Sequence, residues 1–113
     1  MPNLKPLQDI DDLQATIAES RERPVLLFKH SRSCGISCEA LDELRSHIEK
    51  HSREAACKLI TVQSHRNVSH AAAERFGVRH ETPQAIRLRD GRVVWSASHF
   101  QITARELSRI LGA

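Results

Sequence analysis

Hydrophobic and polar positions along the chain change period several times, and each change marks an element. In "LQDIDDLQATIAES" Leu7, Ile10, Leu13 and Ile17 recur at helical spacing until "RERP" ends the pattern before Pro24. The residues ahead of it, "MPNLKP", carry two prolines and no period, so they read as a loose lead-in. "PVLLFKH" is a nearly continuous apolar run headed by proline, the pattern of a strand buried on both faces. After the loop "SRS", Ile36, Ala40, Leu41, Leu44 and Ile48 mark one face of a helix reaching Lys50.

"CKLITVQ" is rich in β-formers and reads as the next strand. In "NVSHAAAERFG" Val68, Ala71, Ala72 and Phe76 share a side, and Gly77 stands where a helix C-cap belongs. In "PQAIRLRDGRVVWSAS" Ile86 and Leu88 alternate with arginines, and Asp90-Gly91 then separates this run from Val93, Val94 and Trp95, which predicts a hairpin. Thr103 with Glu106 forms a capping box opening a last helix whose Leu107, Ile110 and Leu111 face inward, with Gly112 past its end. The order is one helix followed by βαβαββα. Strand–helix–strand units pair in parallel and the hairpin adds an antiparallel edge, giving a single α/β domain over residues 1–113 with a mixed four-stranded sheet, helices on both faces and an extra N-terminal helix.

Composition narrows the function. The net charge of +3 comes from Lys and Arg interleaved with Asp and Glu, and three Phe, one Trp and no Tyr leave little to stack bases, so nucleic acid is not expected as a partner. No run approaches the ~18 apolar residues of a membrane span, and "MPNLKPLQDIDDLQ" lacks the apolar core of a secretory signal. The expected location is the cytoplasm, away from membranes. Three cysteines, an odd count, are no structural disulfide framework in such a compartment, so any disulfide is transient and chemical.

The chemistry concentrates in "KHSRSCGISC", residues 29–38. With the helix starting near Gly35, Cys34 stands at the strand-to-helix junction, where free N–H groups and the helix dipole stabilise an anion. Lys29, Arg32 or a protonated His30 beside it would add to this, lowering a thiol pKa from ~8.5 into the range of ~3.5 to 7.5 and making Cys34 the nucleophile. Cys38 follows one helical turn later. Its Cα would lie about 6 Å from that of Cys34, inside the ~7 Å disulfide limit, but both side chains tilt toward the N-terminus, so a bond needs local unwinding. Ser37 occupies the place that a Cys-x-x-Cys motif gives its second thiol.

Thr82-Pro83 precedes the hairpin, where a cis bond would leave the preceding backbone free to pair with an extended substrate. The seven histidines form no zinc signature, but His30, Cys34 and Cys38 at spacings of four offer one nitrogen and two sulfurs suited to copper(I) or zinc. Cys57 reads as a small hydrophobe and Trp95 as core.

The element order, the junction cysteine and Thr82-Pro83 resemble the thioredoxin fold in its glutaredoxin-type form. More specifically, "FKHSRSCGIS" and "HETPQAIRLRDGRVVWSASHFQIT" resemble the YtxJ family of monothiol bacilliredoxins. In that family Lys-His-Ser precedes Thr-Cys-Pro-Ile-Ser, and a Ser-Pro-Gln before the hairpin leads to Trp-x-Ala-Ser-His. The resemblance implies Cys34 as active thiol, Ser37 as the serine that follows it in the motif and Pro83 as cis-proline; Lys29, His30, Ser37, Thr82 and Pro83 are the expected substrate contacts. It also implies thiol–disulfide exchange on S-thiolated client proteins, with bacillithiol or a similar low-molecular-weight thiol as co-substrate and no bound cofactor. Gly35 departs from the family's Pro, and Cys38 from its small non-thiol residue, which raises Cys38 as a resolving thiol. Two other classes stay open on the sequence: metal delivery through His30, Cys34 and Cys38, as in the copper-delivery proteins of cytochrome oxidase assembly, and a thioredoxin-like binding domain without turnover.

Overall fold

The periodicity is answered element by element in the computed structural model, which describes residues 4–33, 35–51 and 56–111. The elements are β1 (Leu4–Pro6), α1 (Ile10–Glu19), β2 (Val25–His30), α2 (Gly35–His51), β3 (Ala56–Thr61), α3 (Arg66–Phe76), β4 (Gln84–Arg89), β5 (Arg92–Ser98), a 3₁₀ turn (His99–Gln101) and α4 (Ala104–Leu111). Cys34 and Gly112 lie outside the described residues, as do the side chains of Ile48, Ile110 and Leu111.

The strands form one sheet in the order β1-β3-β2-β4-β5. β1 and β2 both run parallel to β3, while β2 to β4 and β4 to β5 are antiparallel. Strand β2 lies in the middle and is buried along its whole length, as its apolar run requires. Because successive side chains alternate, it feeds two cores. Leu26 and Phe28 pack with Ala40, Leu41 and Leu44 of α2 and Leu107 of α4. Val25 and Leu27 pack on the other face with Leu13 of α1 and Val68 and Ala72 of α3. Half-buried Trp95 packs against the first core, and Cys57 is buried in it.

Three expectations need correction. The lead-in is not loose: Leu4, Lys5 and Pro6 pair with Cys57, Lys58 and Leu59, so the sheet has five strands rather than four. An edge strand tolerates proline because one side needs no N–H, and the Leu7 N–H completes the pairing by donating to Leu59 O at 2.8 Å. Helix α1 begins at Ile10, not Leu7, because the Asp9 carboxylate caps it by accepting from Asp12 N at 2.8 Å. Only half of the Thr103 capping box forms: Thr103 Oγ1 accepts from Glu106 N at 3.2 Å, but the Glu106 carboxylate turns to Arg109 at 2.8 Å. A reciprocal box closes instead between Ser98 and Gln101.

The turn chemistry follows the sequence. Asp90 (φ 53°) and Gly91 (φ 74°) are both left-handed, as a two-residue hairpin turn of primed type demands. Gly77 (φ 64°) caps α3, its N–H donating to Ala73 O.

Candidate functional site

At the C-terminal end of β2 the chain enters a short loop, residues 31–33, and helix α2 opens at Gly35. The residue between them in the sequence is Cys34; it lies outside the described residues, while the chain on both sides of it is described. Register brings a second loop to the same end. Lys29 pairs with Gln84, so the Thr82-Pro83 peptide, which is cis, lies next to the exit of β2. Pro83 is buried, Thr82 is half-buried, and Pro83 O accepts from His99 N at 3.0 Å.

The loop is held from two directions. Ser37, on the first turn of α2, is fully buried, and its hydroxyl oxygen accepts from Ser31 N at 2.9 Å. The same hydroxyl lies 2.8 Å from His30 Nδ1. Burial first, then Arg45 and Arg32, push the His30 pKa below its usual value, outweighing a hydrogen bond to the Ser37 backbone that raises it, so the ring is neutral at pH 7. From the other side Gln63, just beyond β3, accepts from Arg32 N at 3.1 Å and donates to Ser31 Oγ at 2.7 Å and Ser33 Oγ at 3.1 Å.

Alternation along β2 sends Lys29 the opposite way from His30, toward α3. Its side chain is 0% exposed, and Nζ donates to Ser69 O at 3.0 Å and to His80 Nδ1 at 3.1 Å. No carboxylate pairs with it among the described residues. Burial lowers its pKa from 10.5 to about 8, so it is still mostly protonated at neutral pH.

The residues expected from sequence thus divide. Lys29, His30 and Ser37 are each less than a tenth exposed, so none lines the surface of the site: Ser37, bonded to His30, holds the loop, while Lys29 turns away toward α3. A protonated His30 does not stand beside the junction thiol, because burial and two arginines keep the ring neutral. Cys38 is exposed, with Sγ 3.9 Å from Arg32 O, leaning back toward the loop. Cys57 is buried far from this chemistry, and burial pushes its thiol pKa up to about 11. Among the described residues no three His, Cys, Asp or Glu side chains converge as metal ligands. Sequence reasoning missed Gln63, Ser69 and His80. Gln63 carried a signal, since polar residues just past the C-terminal ends of parallel strands are where α/β folds place their sites.

Comparison with known proteins agrees with this geometry. The family model for the monothiol bacilliredoxin BrxC matches residues 5–107. A solved structure described as a proposed oxidoreductase with a thioredoxin fold is 29% identical, with a TM-score of 0.84 over 94% of this chain and 91% of that one. Thioredoxin from Fasciola hepatica (16% identical, TM-score 0.77, 96% of both chains) shares the fold. So does a mutant thioredoxin from Halobacterium salinarum (20% identical, TM-score 0.74, 97% of this chain and 89% of that one). With the match spanning nearly its whole length, this chain belongs to the monothiol bacilliredoxin family, thiol oxidoreductases built on the thioredoxin fold.

Proposed function

We propose that this protein removes a low-molecular-weight thiol of the bacillithiol type from mixed disulfides on client proteins, with Cys34 as nucleophile and Cys38 as resolving thiol. One observation carries the reading: the loop entering Cys34 is pinned by Gln63 and by the buried Ser37 hydroxyl, and α2 opens at the very next residue. A helix start offers unpaired N–H groups and the positive end of a dipole, which favour thiolate over thiol.

The Cys34 thiolate attacks the sulfur of the small thiol. A Cys34–small-thiol disulfide forms, the original disulfide breaks, and the client leaves as a thiolate that takes a proton from water. Cys38, as thiolate, then attacks the Cys34 sulfur, expelling the small thiolate and closing a Cys34–Cys38 disulfide. Two further equivalents of small thiol reduce that bond, restoring both cysteines and forming a small-thiol disulfide. Attack by one free small thiol on the first adduct reaches the same end without Cys38. The clients, the small thiol and a cytoplasmic location belong to this proposal. Among the described residues no helix is long and apolar enough to cross a membrane.

Intact-mass spectrometry after mixing with a bacillithiolated client tests the scheme. The wild-type protein strips the client and gives a form two hydrogens lighter. Cys38→Ser accumulates the adduct on Cys34, and Cys34→Ser leaves the client modified. Full activity in Cys34→Ser refutes the mechanism.

A further inference from the structure

Residues 78–83 join the cap of α3 to the start of β4 and carry Thr82 and Pro83 to the exit of β2. Among the described residues no backbone–backbone hydrogen bond engages residues 79–82, so side chains hold this loop. Gln84 Nε2 donates to Arg79 O at 2.8 Å, and Ser98 Oγ donates to the Glu81 carboxylate at 3.3 Å. Between those two points His80 is tied through one atom: Nδ1 lies 3.1 Å from Lys29 Nζ and 3.3 Å from Ser69 Oγ.

Lys29 sets the chemistry of that tie. An ammonium only donates, so Nδ1 is the acceptor and the ring's own proton sits on Nε2. Lys29 has nowhere else to turn: its side chain is 0% exposed, and Nζ also donates to Ser69 O at 3.0 Å. The other side of the His80 ring is open. It stacks on His70 at 5.3 Å and lines a cavity of about 370 Å³ on the α3 side of the pinned loop, with Ser31, Ser33, Gln63, Arg66 and His70. Water therefore reaches the ring, and Nδ1 is the one nitrogen with a lone pair to take a proton. Once it does, two N–H donors and two positive charges face each other where a 3.1 Å bond stood, and the tie is lost. The surroundings add no compensating charge. Lys29 faces the ring from β2, His70 and Arg66 from α3, and β4 contributes only the neutral amide of Gln84. In the loop itself Arg79 precedes His80, while the Glu81 carboxylate is turned to Ser98 and His99. Burial first, then Lys29 and His70, lower the His80 pKa from 6.5, so the tie is intact at neutral pH.

We infer that His80 is a positioning residue for the exchange: with Nδ1 unprotonated it holds Thr82 and Pro83 beside the junction cysteine, and in acid it releases them. This rests on the exchange reading above and adds to it an acid-sensitive gate made of Lys29, Ser69 and His80.

Two measurements test it separately. His80→Asn keeps the acceptor and removes the titration, because Asn Oδ1 stands as many bonds from Cα as His Nδ1 and takes no proton in this range; His80→Leu removes the acceptor. The first measurement is kcat/KM with one S-thiolated client from pH 4.5 to 7.5. Titration of Cys34 and of the client thiol is common to all three proteins and cancels in their ratios. At pH 7.5 His80→Asn should match the wild type within about twofold, and His80→Leu should fall at least about threefold below both, roughly the worth of one net hydrogen bond. The ratio of wild type to His80→Asn should then drop at least about threefold on going to pH 4.5. A ratio that stays flat, His80→Leu equal to the wild type, or His80→Asn as slow as His80→Leu overturns the inference and leaves the exchange reading intact. The second measurement needs no exchange: a pH titration of ¹⁵N-labelled protein. The Glu81, Thr82 and Gln84 amides should shift with the midpoint of the His80 ring in the wild type, and that step should be missing in His80→Asn. Amides that ignore the ring overturn the gate. Absence of exchange in the wild type overturns the exchange reading, and the titration then decides by itself whether His80 holds the loop.

Discussion

Replacing Lys29 by Met keeps the length of the side chain and removes its charge, which turns the buried ammonium into a measurable quantity. The folded-state pKa of about 8 lies 2.5 units below the reference of 10.5, so burying the charged form costs about 3 kcal/mol at 1.36 kcal/mol per unit. The sign is fixed by linkage. Below pH 8 both folded and unfolded chains hold the proton, and the penalty is fully present. Between pH 8 and about 10.5 the folded chain gives up its proton while the unfolded chain keeps it, so stability rises with pH. The variant carries no such term but loses the bonds to Ser69 O and His80 Nδ1, together about 1–3 kcal/mol. At pH 7 it should match the wild type or exceed it by up to about 2 kcal/mol, and by pH 10 the wild type should have gained most of the 3 kcal/mol relative to it. Cys57 works in the opposite direction: its raised pKa makes stability fall as pH rises from about 9 to about 11. That contribution is present in both proteins and cancels in the difference, as do the other lysines. Urea denaturation followed by fluorescence of Trp95, the single tryptophan, at pH 7, 8, 9 and 10 supplies the difference curve. A curve flat to within about 0.5 kcal/mol over that range would refute a desolvated Lys29.

Two other outcomes follow from the same geometry. Ser37→Ala removes a fully buried hydroxyl serving both Ser31 N and His30 Nδ1, and should lower stability by about 1–3 kcal/mol in urea denaturation at pH 7; an unchanged midpoint would mean that this hydroxyl does not hold the loop. Native protein treated briefly with iodoacetamide at pH 8 should be labelled at exposed Cys38 and spared at Cys57, whose thiol is buried with a pKa of about 11; peptide mass mapping that finds both labelled at similar rates contradicts the burial.

Local chemistry decided much of this protein, and it was legible in the sequence. The apolar run "VLLFKH" could only be a strand buried on both faces, Asp90-Gly91 a tight hairpin turn, and Gly77 a helix cap, because each depends on periodicity or on backbone conformations that few residues adopt. The motif around Cys34 was legible for the same reason: a strand ending, a loop and a helix start are consecutive in the chain. Contacts between distant segments were not legible. Leu4–Pro6 joins the sheet only because β3 offers it an edge, and three residues with a proline carry no period of their own. In the sequence Lys29 reads as a cation beside a thiol. Its burial depends on which face of β2 meets α3 and on Ser69 and His80, 40 and 51 residues away in the chain, being there to receive it. The cavity is assembled from β2's exit, the end of β3, the start of α3 and the loop ahead of β4, four segments that no spacing rule connects. Sequence determines what each segment can become, because propensity and turn geometry act over a few residues. Only packing decides which polar side chains lose their water, and here that loss turned a lysine next to a motif into a buried charge behind a pocket.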